Sequence, residues 1–277
     1  MQDKIQRSGA KAIKAKGNTK KMGRSRAELG GSVLEHYALN GWVVAPGFFS
    51  AAQTAQLVRF TDEVCELPEV AGKQMLYREP SLLDAQARVF QRVENFCSYH
   101  VGFDKLIRGG RLESAVEQLL GSPAFLFKEK INFKMSGGAG FEPHQDQQAG
   151  WSRYAPLFVT ALVSIDPATQ ENGCLEIANC PRQSRLIGRE WEPLTASEMA
   201  GIELMPVPTG PGDVVFFDSF VPHASGPNLT SNQRRVLYVT YNRASDGDHR
   251  DSYYGDKRAS FPPDIERLPS VEYRFRV

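Results

Sequence analysis

The 277-residue chain has no run of about 18 apolar residues, so it offers no candidate for a membrane-spanning helix. Its first residues lack the apolar core of a secretory signal, which argues against export. Cysteine is scarce: Cys65, Cys97, Cys174 and Cys180 form no CxxC pair. Four scattered thiols in a chain this long are expected to be reduced, buried residues of a cytoplasmic protein. No internal repeat is visible, and no linker interrupts the body of the chain. The apolar and charged fractions, 41% and 23%, are those of an ordinary globular protein with its own core.

A formal net charge of +1 conceals an asymmetry. Residues 1–26 hold nine Lys/Arg against Asp3 alone; removing them from 33 basic and 32 acidic residues leaves 24 basic and 31 acidic, a net of −7. An acidic body argues against nucleic acid as a partner and leaves a small molecule. Too few apolar residues lie in residues 1–27 for packing, so a disordered solvated tail is expected there, with a transit peptide or an electrostatic tether as alternatives. Residues 28–277 then form one domain. Its oligomeric state is not encoded in any pattern visible here.

Structure is expected to begin with a helix over 29–40 stopped by Gly41, then a strand at Trp42-Val43-Val44 ended by Pro46-Gly47. Ser50 and Gln53 form a capping-box pattern, and Leu57, Phe60, Val64 and Leu67 recur at helical spacing until Pro68. The stretch 68–90 has mixed character and is expected to be loop. A further helix over 112–120 ends at Gly121.

From Ala124 the apolar period becomes two. Lys128, Lys130, Asn132 and Lys134 alternate with mostly apolar neighbours, giving one basic strand face. That face either meets water, the commoner fate of a polar strand face, or lines a barrel mouth and meets anions. Gly137-Gly138-Ala139-Gly140 follows as a turn, open to mobility. Strand-like runs recur at 157–165, 174–178, 204–207, 214–217 and 236–241, separated by Gly/Pro/Asn turns. The pattern predicts a mainly β fold: a double-stranded β-helix, a cupin-like jelly roll, with helices in front of it as an N-terminal layer.

The stretch Pro143 to Trp151 carries the chemistry. His144 and Asp146 stand two apart, a spacing that places both on one face of a strand. His223 follows 77 residues after Asp146, at the end of the 214–217 run. Two imidazoles and one carboxylate with open positions form the ligand set of non-haem Fe(II) oxygenases. His36 falls on a helical surface. Neither His100 nor His249 has a comparable partner, since Asp251 lies with His249 in a polar loop.

Around these residues, His144-Gln145-Asp146, Glu171 to Glu176, Pro211 to Phe217, His223 to Asn228 and Arg234 together resemble the phytanoyl-CoA dioxygenase family of Fe(II)/2-oxoglutarate oxygenases, over residues 34–267. The resemblance implies His144, Asp146 and His223 as iron ligands, and it implies Fe(II), 2-oxoglutarate and O₂ as cofactor and co-substrates. Arg234 matches the arginine that holds the distal carboxylate of 2-oxoglutarate, a role suited to its planar fork. On that assignment Arg235 points to the opposite face, and Ser225 is a second candidate for the carboxylate. The implied reaction couples decarboxylation to succinate and CO₂ with hydroxylation of a substrate carbon. A carboxylate at 146, where related halogenases carry a small residue, implies hydroxylation rather than halogenation.

A narrower resemblance, to bacterial hydroxylases of 2-aminoethylphosphonate and its N-methylated relatives, rests on Glu94-Asn95-Phe96, Phe127 to Lys134, His144 to Trp151 and Tyr253 to Arg258. It implies Lys128, Lys130, Asn132, Lys134 and Arg153 as donors to a phosphonate, helped by Lys257 or Arg258, and hydroxylation at the carbon next to phosphorus. An oxygenase of specialised metabolism, an acyl-CoA hydroxylase and a non-catalytic cupin-like metal binder are the alternatives.

Overall fold

The structure, a computed structural model, describes residues 29–273; the expected basic tail lies outside the described residues. Helix α1 (Gly31–Asn40) ends at Gly41, whose φ of 77° is the left-handed geometry that closes a helix, with its N–H on Tyr37 O. Strand β1 (Trp42–Ala45) leads into α2 (Ala51–Glu66), where both halves of the Ser50/Gln53 capping box are formed. The buried stripe of α2 contains Leu57 and Val64, as its spacing predicts. Strands β2 (Met75–Pro80) and β3 (Arg88–Glu94) follow, then α3 (Val101–Ile107) and α4 (Arg111–Leu120). The jelly-roll strands are β4 (Ala124–Lys134), β5 (Phe141–His144), β6 (Phe158–Ser164), β7 (Leu175–Ala178), β8 (Leu204–Val207), β9 (Val214–Asp218), β10 (His223–Ser225) and β11 (Arg234–Arg243). Helix α5 (Arg250–Ser260) closes the order.

All strand pairs are antiparallel. They form a seven-stranded sheet, β1-β9-β6-β11-β4-β3-β2, facing a four-stranded sheet, β5-β10-β7-β8. Helices α1 to α4 bury Tyr37, Leu57, Val64, Phe103, Ile107, Leu112 and Val116 against the outer face of the large sheet, through Ile131, Phe133, Val163, Phe216, Leu237 and Val239. Leu162, Val215, Phe217 and Val236 fill the space between the sheets with Leu175, Ile177 and Val207. The expected β-sandwich with a helical layer in front is therefore formed.

Several local expectations change. The stretch 68–90 holds β2 and the start of β3 rather than loop. Met75, Leu76 and Tyr77 are buried on both faces and a bulge follows at Tyr77/Arg78, so no two-residue alternation survives to be read. Asp251 does not lie in a loop: it falls in the first turn of α5, which His249 caps from the preceding loop and whose only buried apolar residues are the adjacent Tyr253 and Tyr254. Gly137 and Gly138 are pinned by bonds from Gly137 N to Asn228 O (2.8 Å) and from Asn228 N to Gly138 O (3.0 Å). All four cysteines are free, as expected, but Cys65 is exposed and Cys180 half-buried. No helix among the described residues is long and apolar enough to cross a membrane.

Helix α5 is anchored by charge rather than by an apolar stripe. Arg250 reaches the fully buried Glu129 of β4, bonding Oε2 at short range and Oε1 at 2.8 Å. Glu129 also accepts from Cys97 N at 2.9 Å, which ties three elements to one carboxylate. Removing one partner of such a pair strands the other charge, at a cost of about 3–5 kcal/mol. Arg250→Met is therefore expected to lower unfolding free energy by that amount in urea titration, whereas the double change Arg250→Met/Glu129→Leu recovers a large part of it. A single-variant loss below ~1 kcal/mol would show that α5 docks without the pair.

Candidate metal centre and substrate cavity

The pairing of β5 with β10 sets His144 directly opposite His223, with ring centroids 4.3 Å apart. His223 thus opens a strand of the small sheet and is not the tail of β9, from which Ser219 to Pro222 separate it. Asp146 lies just past β5, at the first position of a 3₁₀ turn. Its alignment with His144 comes from the extended Gln145 between them (φ −106°, ψ 133°) rather than from a continuous strand. One ligand atom from each of His144, Asp146 and His223 lies within 4.8 Å of the other two, and this is the only such triad among the described residues.

Both imidazoles are oriented for a metal. His144 Nδ1–H donates to Glu142 O (2.7 Å) and His223 Nδ1–H to Val221 O (3.0 Å), which leaves each Nε2 lone pair free. Burial, and then the neighbouring His223, push His144 down to about 3; burial also lowers His223. Both rings therefore stay neutral, the form that ligates metals. Thr160 of β6 donates to Asp146 Oδ2 at 3.3 Å and fixes the carboxylate from the large sheet.

Three buried glutamines hold the turn that carries Asp146. Gln145 Nε2 donates to Arg185 O (3.1 Å) and Phe220 O (2.6 Å), and its Oε1 accepts from Ile187 N (2.7 Å). Gln147 N donates to Ser219 O, and Gln148 Nε2 to Arg189 O and Glu192 O, both at 2.8 Å. Sequence reasoning missed this role; the available signal was a run of amides beside a ligand motif, where buried backbone needs partners.

Arg234 points between the sheets, while Arg235 points outward to Asp62 and Asp166, the alternation expected of a strand. Arg234 is 1% exposed and has no hydrogen-bond or ion-pair partner among the described residues; its Nε is buried and unsatisfied. Burial lowers its pKa. A buried guanidinium left this way is costly unless an anion completes it.

The even face of β4 turns inward. A cavity of about 960 Å³ is lined by Lys128 and Lys130 with Arg92, Glu94, His144, Asp146, Trp151, Tyr253 and Lys257. A deeper annex of about 30 Å³ adds Asn132, Thr160, His223, Ser225 and Tyr238. Burial, then Lys128, lower Lys130 to about 7, and burial lowers Lys128 as well. Asn132 Oδ1 is buried without a partner.

Other expected donors are placed differently. Lys134 lines neither cavity: its Nζ donates to Ser225 Oγ (2.8 Å), Gly173 O (3.3 Å) and Gly226 O, so the ammonium is spent on the fold. Ser225 lines the annex with its hydroxyl oxygen already accepting from Lys134. Arg153 is an exposed rim residue bonded to Asp256 and Tyr154. Lys257 reaches the cavity wall, whereas Arg258 pairs with Glu266 away from it. Arg92 was not anticipated from sequence, because its strand was not.

The model of the phytanoyl-CoA dioxygenase family matches residues 37–236, most of the chain. The chain belongs to this family. Within the family it is 40% identical over 235 residues to a 2-aminoethylphosphonate dioxygenase from uncultured bacterium HF130_AEPn_1, covering 84% of this chain and 89% of the relative. It is 36% identical over 231 residues to a methylphosphonate hydroxylase from Gimesia maris, covering 83% and 87%. Among solved structures, EctD from S. alaskensis with bound Fe superposes with a TM-score of 0.64 at 19% identity, covering 79% of this chain and 78% of that one. SnoN in complex with Fe3+, alpha ketoglutarate and nogalamycin RO gives 0.63 at 19%, covering 88% and 91%. These structural likenesses bear on the fold.

Trp191 covers one side of the cavity in this family member. Its φ of 69° is left-handed for a bulky residue, and its ring lies on Gly150, where a Cβ would come within 2.1 Å of it. Gly150 itself has φ 71°. Gly150→Ala is therefore expected to cost about 1–3 kcal/mol in urea unfolding and to displace the indole, seen as altered Trp191 emission against a Trp191→Phe control. Unchanged emission and stability would mean that the turn absorbs a methyl group.

Proposed function

We propose that the chain is an Fe(II)/2-oxoglutarate-dependent hydroxylase of a small phosphonate, with an aminoalkylphosphonate hydroxylated next to phosphorus as the best substrate. His144, Asp146 and His223 hold the iron, and Arg234 holds the distal carboxylate of 2-oxoglutarate, with Ser225 beside it. The observation that carries this reading is the triad together with two sets of basic side chains that no carboxylate pairs: Arg234, and Lys128 with Lys130. Arg234 is a buried guanidinium whose Nε has no partner, and Lys128 and Lys130 are two basic side chains on the cavity wall that form no ion pair among the described residues. A metal-binding protein with no co-substrate has no use for the first, and the second suits a phosphonate head or the phosphates of an acyl-CoA, between which the relatives favour the phosphonate. The two phosphonate-acting relatives support the substrate class.

With 2-oxoglutarate and O₂, the iron supplies the oxidising chemistry that hydroxylates a C–H bond. The residues contribute geometry. His144 and Asp146 line the cavity, so an iron held by the triad would lie at its wall. Lys128, Lys130 and Asn132 orient the head group, so that the adjacent carbon is presented to the metal. Trp151, Tyr253 and Phe141 exclude water around it. A cavity sized for a small molecule, an acidic body and four free thiols together support a cytoplasmic enzyme that does not bind nucleic acid.

Succinate release tests the reading: with Fe(II), 2-oxoglutarate and a panel of phosphonates, acyl-CoAs and amino acids, turnover is expected for the phosphonates. A panel response confined to acyl-CoAs or amino acids sinks the substrate assignment. His144→Ala and His223→Ala are each expected to abolish Fe(II)-dependent turnover, and survival of full activity in either removes that residue from the centre. Arg234→Ala is expected to raise the KM for 2-oxoglutarate, a loss on the order of 2–5 kcal/mol for a buried charged contact. An unchanged KM would transfer the role to another basic residue.

A further inference from the structure

The inner wall of the cavity carries four basic side chains, Arg92, Lys128, Lys130 and Lys257, from three elements, around the carboxylate of Glu94, with Asp146 of the triad also facing Lys128 and Lys130. Glu94 is fully buried; Arg92 Nε bonds its Oε1 at 2.6 Å and Lys257 Nζ approaches at 2.9 Å. That carboxylate is thereby engaged with Arg92 and Lys257. Lys128 and Lys130 have no hydrogen-bond or ion-pair partner among the described residues. Lys128 Nζ lies 5.0 Å from the Trp151 ring centre and 5.3 Å from that of Tyr253. Lys130 Nζ lies 4.7 Å from the ring centre of Tyr238. Ring faces accept a cation weakly and do not neutralise it. The two lysines share one face of β4, roughly 7 Å apart along the strand, so one tetrahedral head can lie between them.

We propose that this wall is a dianion-selective head-group site: Lys128 and Lys130 each meet one charge of the phosphonate, and Glu94 is a positioning residue that holds Arg92 and Lys257 at its edge. The inference deepens the function proposed above and takes from it the phosphonate head. A monoanion of the same shape leaves one buried ammonium uncompensated, the costly outcome in a site shielded from water. Charge number, more than shape, then separates phosphonates from sulfonates. Nothing in the sequence pairs residues 92, 94, 128, 130 and 257; β3, β4 and α5 bring them together.

The test is anaerobic calorimetry on the full chain loaded with Fe(II) and 2-oxoglutarate, at a pH where methylphosphonate is doubly ionised, with methanesulfonate as the singly charged isostere. Methylphosphonate is expected to bind at least about tenfold more tightly, the scale of one charge-assisted hydrogen bond. Lys128→Met should weaken the phosphonate about tenfold or more and leave the sulfonate nearly unchanged, erasing the preference. Glu94→Gln should weaken phosphonate several-fold with 2-oxoglutarate affinity unaltered. Equal binding of the two anions by the wild-type chain, or equal weakening of both by Lys128→Met, overturns charge selection; unchanged phosphonate affinity in Glu94→Gln overturns the positioning role. Preference for the phosphonate with no succinate formed once oxygen is admitted keeps this inference and removes the hydroxylase reading. Succinate formed with phosphonates but no binding preference does the reverse.

Discussion

The structure depends on one short piece of strand pairing. Strand β10 is three residues long, and its register against β5 places His223 across from His144. A slip of one residue would turn one imidazole to the other face of the sheet and dissolve the centre. The surroundings are built to prevent that slip. Strand β7 pairs β10 from the other side, Gln145 ties the end of β5 to Phe220 and Arg185, and Lys134 reaches across from the large sheet to Ser225 and Gly226. The small sheet thus supplies the two imidazoles, and a contact from the large sheet helps hold it in register.

Charge is distributed in the same two-sided way. On the outer face of the large sheet, Arg235 and Arg250 are matched by Asp62, Asp166 and Glu129, and these pairs fasten helices to strands. On the inner face, Arg234, Lys128 and Lys130 form no ion pair among the described residues, and the Nε of Arg234 is buried without a partner. An unpaired buried cation lowers stability, so such a group marks a candidate anion site. The same strands, β4 and β11, carry matched charge on one face and unmatched charge on the other. Period-two alternation lets a ten-residue strand serve stability and recognition at once.

Much of this was legible beforehand for identifiable reasons. The ends of α1, α2 and α4 are written locally, in Gly41, Ser50 with Gln53, and Gly121. The strands of the sandwich core show apolar runs bounded by turn residues, and His144, Asp146 and His223 stand in motifs dense enough to name a family. Where both faces are buried, as at Met75 to Tyr77, the period disappears and so does the strand. Helix α5 has no apolar stripe, because an ion pair to Glu129 and two adjacent tyrosines dock it.

Sequence alone therefore determined the fold class, the triad His144, Asp146 and His223, and the existence of a basic face on β4, because each follows from local spacing or from motif. Tertiary structure decided which way that face looks and which of its members are available. Alternation constrains side chains to one side of a strand but carries no information about what lies on that side. Only the packing of β10 against Lys134 removes that ammonium from the cavity, and only the meeting of β3, β4 and α5 surrounds Lys128 with Arg92, Glu94 and Lys257. Those contacts span up to 163 residues of chain, from Glu94 to Lys257, and no local pattern encodes a distance of that kind.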